Sequence, residues 1–131
     1  MSKDIIGDFL TVIRNGIGIS KRWIVVPFSN EKMEIAKVLK EEGFIKDFQK
    51  IEDNNSKYLL KIFLKYMNGE SAIHELVRVS KPSRRCYEGL RNMRSVIGGL
   101  GVAVLSTNVG IITDKKAKVL SVGGEVICHV W

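Results

Sequence analysis

The sequence predicts an α+β protein in two small lobes, an N-terminal lobe of order α-β-α-β-β and a mostly-β C-terminal lobe with short helices. Three observations carry this reading. Apolar residues at helical spacing fall in two segments of the first half. The cluster Asp53-Asn54-Asn55-Ser56 separates two strand-like runs. Beyond Asn68-Gly69, short β-branched runs broken by glycine and proline take over.

In chain order, Ile5, Ile6, Phe9, Leu10 and Ile13 form one stripe of a first helix over residues 4–15. Ser2 is its expected cap, Asp4 and Asp8 suit its positive end, and Asn15-Gly16 is its expected stop. Trp23-Ile24-Val25-Val26-Pro27 reads as a short buried strand. Ser29 caps a second helix that runs to about Glu42, with Gly43 as its stop. Its core side is Met33, Ala36 and Leu39, helped by Ile35 and Val38. Residues 44–52 and 57–66 make a hairpin. Asn68-Gly69 is the expected lobe boundary, dividing 1–68 from 69–131.

In the second half Ile73, Val77 and Val79 alternate with His74, Leu76 and Arg78 until Lys81-Pro82-Ser83 interrupts the strand. Residues 84–87 read as another short strand, and 92–97 as one helical turn before Gly98. Residues 102–107 and 110–113 are strands around a tight corner at Asn108-Val109. Asp114 starts a short helix through Lys118, Gly123-Gly124 turns the chain, and 125–131 form a last apolar strand.

At 131 residues the chain is long enough to bury a core, and 45% hydrophobic residues argue against disorder. It contains no run of 18 apolar residues, so no membrane-spanning helix is expected. No signal peptide is legible either. Cys86 and Cys128 are too few for a disulfide framework and match no zinc spacing, which predicts reduced thiols in a cytoplasmic protein.

The net charge of +7 points to an anionic partner. Arg78, Lys81, Arg84, Arg85, Arg91 and Arg94 crowd one segment against the single acid Glu88. Arginine contacts phosphate through several donors and stacks on bases, so this cluster reads either as a nucleic-acid surface or as a solvated face.

Enzyme readings are thin. Gly98-Gly99-Leu100-Gly101 resembles a phosphate loop but precedes a strand, where such loops open a helix. A close approach of two backbones explains it better. Cys128 and His129 are strand neighbours facing opposite sides, so with Cys86 and His74 they make a poor metal site. No Gly-x-Ser-x-Gly elbow exists, and neither metal nor cofactor is implied. The corner Ser106-Thr107-Asn108-Val109-Gly110 offers hydroxyls and an amide that can read 2′-hydroxyls, phosphates and base edges. The same residues also serve ordinary turns.

The run from Gly99 through Gly110, with Thr113-Asp114, Gly123-Gly124-Glu125 and Cys128, resembles the C-terminal signature of the bacterial small-subunit ribosomal protein S-eight family. Asp8-Phe9-Leu10-Thr11 with Ile13-Arg14-Asn15-Gly16 is similar to the family's first helix, and residues 38–45 to its second. Arg78-Val79-Ser80, Pro82 and Tyr87 match the central segment, so the resemblance runs end to end. It implies two tightly associated lobes and a primary binder of the 16S rRNA central domain that helps organise the platform of the 30S subunit. It also implies contacts with small-subunit ribosomal proteins five and twelve and, in some members, repression of their own operon mRNA.

Carried over by motif, the RNA-facing residues are Ser106, Thr107 and Asn108, with Tyr87, Gly123, Gly124 and Glu125 nearby. Arg14 and Lys32 match positively charged family positions, Lys32 also reading as a solvated helix residue, and Arg84 and Arg85 come from the arginine cluster. Glu125 is read as an acceptor for a base edge or for loop N–H groups, and Tyr87 as a stacking ring or a core residue. The chain departs from the family at Val12, Ser83, Cys86, Asn108, Ser121 and Trp131, whose ring needs a cover. Rival readings are a DNA-binding or free-standing regulatory module, and a small enzyme with a titrating pocket.

Overall fold

A computed structural model describes residues 4–89 and 96–131, the side chains of Ile97 and Gly98 excepted. The described chain is α+β and divides into two compact units, Asp8–Ile73 and residues 4–7 with His74–Trp131.

Helix α1 (Ile5–Gly18) begins where Asp4 accepts a hydrogen bond from the Gly7 N–H at 3.0 Å. The expected cap, Ser2, lies outside the described residues. The helix does not stop at Asn15-Gly16. Gly16 is buried, and a Cβ there would lie 2.6 Å from Ile24 Cγ2, so this glycine serves close packing against the next strand. The stop comes at Ser20, in the left-handed region with φ 55°. Its N–H donates to Ile17 O at 3.0 Å and that of Lys21 to Gly16 O at 2.9 Å, closing the last turn as a Schellman motif. Ile5, expected on the buried stripe, is half exposed, while Ile6, Phe9, Leu10 and Ile13 are buried.

Strand β1 (Trp23–Pro27) is buried on one face only: Ile24 and Val26 are covered, Trp23 and Val25 open. It pairs antiparallel with β3 (Tyr58–Leu64), which pairs with β2 (Ile45–Glu52), giving the order β1-β3-β2. Helix α2 (Asn30–Glu41) packs on this sheet. Ser29 caps it as expected, and Gly43, at φ 80°, ends it with Gly43 N–H to Lys40 O and Phe44 N–H to Leu39 O. Its buried residues include Ile35, Ala36, Val38 and Leu39, with Lys32 in place of the expected Met33, which is only half-buried.

The β2–β3 turn is organised by Asp53, whose carboxylate accepts from the N–H groups of Asn55 and Lys57. Asn68-Gly69 joins two short strands, β4 (Tyr66–Met67) and β5 (Glu70–Ser71), in a hairpin with both φ values positive, 54° and 81°. That is the backbone a type I′ turn requires, and Asn-Gly is its favoured pair.

The other unit is built on a five-stranded antiparallel sheet of order β6-β10-β8-β9, with β7 also on β10. These strands are β6 (Leu76–Arg78), β7 (Tyr87–Glu88), β8 (Val102–Thr107), β9 (Gly110–Thr113) and β10 (Gly124–Val130). β6 is shorter than its alternation suggests, and Leu76 rather than Val77 faces inward. Ahead of it, the N–H groups of His74 and Glu75 both donate to Trp131 O. Residues 84–87 yield strand only at Tyr87–Glu88, because Lys81 and Arg84 exchange backbone hydrogen bonds around Pro82-Ser83. Ser83 takes no positive φ. The helical turn expected at 92–97 falls largely outside the described residues, which show a 3-10 turn at Val96–Gly99.

Helix α3 (Asp114–Leu120) is capped by Thr113 and ends at Ser121 in the left-handed conformation, φ 57°. It packs over β8 and β9, and the cluster of Val96, Ala103, Leu105, Ile112, Ala117 and Val126 forms the core. The Trp131 ring finds its cover against that cluster. Asp114 is buried and accepts from the Ala103 N–H at 3.2 Å. Beneath the sheet Arg78 binds Asp4 at 3.2 Å and donates to Ile127 O at 2.9 Å.

Candidate nucleic-acid interface

β10 is the axis of the site. Along one edge it pairs with β8, and along the other with β6 and then β7. At the end where β7 joins, the register places Tyr87, Glu125, Ser106 and Ile111 opposite one another on four successive strands. Opposed residues of antiparallel strands share a face, so Tyr87, Glu125 and Ser106 form a row about 10 Å across. The β8–β9 corner, Asn108-Val109, projects beside it as a two-residue hairpin loop with Gly110 at φ 115°.

Gly123-Gly124 makes this row possible, though not as the expected turn, since neither glycine takes a positive φ. A Cβ on Gly123 would lie 2.6 Å from Glu88 O. One on Gly124 would overlap the Ser106 carbonyl oxygen and lie 3.0 Å from Thr107 Cγ2. The pair is a spacing device that lets β7 and β8 both close on β10.

Each side chain has a distinct state. The Thr107 hydroxyl donates to Gly110 O at 2.8 Å and accepts from the Val109 N–H at 3.2 Å, so it fastens the corner. Asn108 at the tip is exposed, and Ser106 is half-buried. Tyr87 is 70% exposed, which excludes the core-filling role and leaves its ring open for stacking.

Glu125 is an acceptor, but its donors are side chains rather than loop N–H groups: Ser80 Oγ at 2.7 Å and Arg85 at 3.1 Å. Its charge is thereby neutralised beside the polar corner, where a bare carboxylate would repel phosphate. Ser80 is fully buried and accepts from the Cys86 N–H at 3.2 Å, tying Glu125 to the chain before β7. Sequence reasoning passed over Ser80 as a site residue, because only the register discloses that residues 45 positions apart meet.

The arginine cluster divides. Arg85 is spent on Glu125, Arg84 is exposed, and Arg91 and Arg94 lie outside the described residues.

Arg14 and Lys32 belong to the unit Asp8–Ile73. Arg14 is exposed on α1. Lys32 is only 6% exposed and donates its ammonium to Pro27 O at 2.9 Å, so the solvated-residue reading is corrected. Burial lowers its pKa, with the nearby Asp8 charge working in the opposite direction.

The glycine run also resolves. A Cβ on Gly101 would lie 2.7 Å from Val130 O and 2.9 Å from Trp131 Cβ, the close backbone approach expected of it. Cys128 is fully buried and its thiol is pushed up to about 12, burial outweighing the Arg78 charge. No described helix is long and apolar enough to cross a membrane.

A basic α+β protein with an open aromatic ring and a paired carboxylate in one row, beside a polar hairpin tip, presents the kind of surface that suits an anionic partner. Comparison with known proteins specifies the family. Residues 4–131 match the model of the family described as ribosomal protein S8. The chain is similar to the small ribosomal subunit protein uS8 of Thermosipho africanus, 49% identical over the full length of both chains. Its similarity to the same-named protein of Halothermothrix orenii is 50% over 98% of this chain and 97% of that one. With that of Thermodesulfovibrio yellowstonii it is 47% over all of both. The chain belongs to the ribosomal protein S8 family, and is a ribosomal protein and not an enzyme.

Proposed function

We propose that this protein is a structural component of the small (30S) ribosomal subunit and a primary binder of the 16S rRNA central domain. In that role it acts in the cytoplasm, within the ribosome, and helps organise assembly of the platform. The observation that carries this reading is the row Tyr87–Glu125–Ser106 beside the exposed Asn108, with Arg84 free to face phosphate. Hydroxyls, an amide and a stacking ring suit the shallow minor groove and unstacked bases of folded RNA better than a DNA major groove. The segment 69–131 then acts as the RNA-binding lobe, and 1–68, through Arg14, as the source of a further phosphate contact. Small-subunit ribosomal proteins five and twelve are the proposed protein neighbours, and an RNA imitating the ribosomal site in its own operon mRNA is a further target.

The test is a titration at physiological salt against a central-domain fragment, with DNA of the same sequence as competitor. RNA-selective binding, weakened by Asn108→Ala without loss of fold, supports the proposal. Equal affinity for DNA, or Asn108→Ala binding within about 0.5 kcal/mol of the parent, overturns it.

A further inference from the structure

The three-stranded sheet of the unit Asp8–Ile73 has an open face that the polar corner does not use. Trp23 and Phe63 are register partners on it, and Lys61 precedes Phe63 by two residues on the same face. Trp23 is 47% exposed, and the Lys61 ammonium lies 4.3 Å from its ring centroid and 5.0 Å from that of Phe63. At the end of these strands a cleft of about 610 Å³ is lined by Arg22, Trp23, Lys46, Phe63, Lys65 and Tyr66. The Tyr66 ring is anchored by its hydroxyl, which donates to Lys21 O at 2.7 Å.

Three cations, three aromatic rings and no acid line this cleft. Asp47, opposite Phe63 on β2, is held by Lys40 at 3.0 Å. Aromatic rings and cations lining one cleft without an acid among them are what a flexible polyanion with flat bases demands. A protein partner would meet cations without an acid in the cleft itself, and a duplex would keep its bases from the rings.

We infer that the Trp23–Phe63 face is a second RNA contact that stacks one or two bases of an unpaired strand, with Arg22, Lys46 and Lys65 on its phosphates. It lies in the other unit from the Ser106–Asn108 corner and reads single-stranded rather than folded RNA.

The test uses the full chain and a labelled twelve-nucleotide oligoadenylate, followed by fluorescence anisotropy at low and physiological salt. Trp23→Ala is expected to weaken binding about tenfold, equivalent to about 1.4 kcal/mol, within the range for loss of one base–aromatic stack. Trp23→Phe is expected to restore most of the affinity, and Lys46→Ala with Lys65→Ala to flatten the salt dependence. Circular dichroism confirms that each variant is folded. Trp23→Ala binding within twofold of the parent overturns the inference, as does equal competition by a double-stranded oligonucleotide. Asn108→Ala leaves this affinity unchanged while lowering that for the central-domain fragment, so failure of one contact is distinguishable from failure of the other.

Discussion

Replacing Gly124 by alanine tests the spacing argument at its tightest point. The added methyl would overlap the Ser106 carbonyl oxygen and sit 3.0 Å from both Ser106 C and Thr107 Cγ2. Carbon atoms rest about 3.5–4.0 Å apart, so β8 must retreat by roughly half an ångström or more. Overpacking of that kind costs about 1–3 kcal/mol. The retreat also loosens the end of the β8–β10 ladder at Glu125–Ser106, where a backbone hydrogen bond is worth about 1 kcal/mol. The expected loss is about 2–4 kcal/mol. Urea denaturation in a Trp23→Phe background reads it, because Trp131 then reports on the unit that contains β10. Gly89→Ala is the control: a Cβ there meets nothing within 4 Å and φ is not positive, so its stability should stay within about 0.5 kcal/mol. Since Ser106 and Thr107 are the groups displaced, Gly124→Ala should also weaken binding to the central-domain RNA while still folded. Gly124→Ala as stable as Gly89→Ala would refute the claim that this glycine exists for space.

Three further outcomes follow from individual bonds. Ser80→Ala removes the donor to Glu125 and strands the Cys86 N–H, and should cost about 2 kcal/mol by urea denaturation, while Glu125→Gln, which keeps an acceptor, should cost less. Equal losses would show that Ser80 does not work through Glu125. Ser121→Gly should raise stability by about 0.5–1 kcal/mol, since a left-handed serine gives way to a residue at ease there; a lower melting temperature would contradict this. The Asp4 carboxyl is disfavoured as an anion by partial burial, but the Gly7 N–H and the Arg78 guanidinium together outweigh that and hold its pKa below the ordinary 3.8. Its contribution is therefore complete above about pH 4 and lost as pH falls through the lowered value. Asp4→Asn should unfold with a shallower acid limb, and an unchanged limb would remove Asp4 from the account.

What the sequence disclosed was mainly what is local. Ser29 and Gly43 bound α2 because capping depends on one hydroxyl and one left-handed residue, both readable in place. The Asn108-Val109 corner and the strands on either side of it were legible for the same reason. Gly16 and Gly123-Gly124 misled because a glycine that ends an element and one that admits a neighbour look alike in sequence. The hairpin at Asn68-Gly69 went unread, since partners as short as β4 and β5 carry almost no pattern. Lys32 looked solvated because nothing local reveals that the Pro27 carbonyl waits for its ammonium. For the site, residue types were visible, but the alignment of Tyr87, Glu125 and Ser106 and the hidden hand of Ser80 depend on register.

The position of β10 has a consequence for how this molecule comes into being. It follows in the chain every strand it joins, and β6, β7 and β8 all reach the sheet through it. During synthesis the β8–β9 hairpin can close early, but it waits without a neighbour on its other edge. Only when residues 124–130 leave the exit tunnel can the row meet, so a nascent chain that still holds β10 inside should be unable to grip folded RNA through this corner.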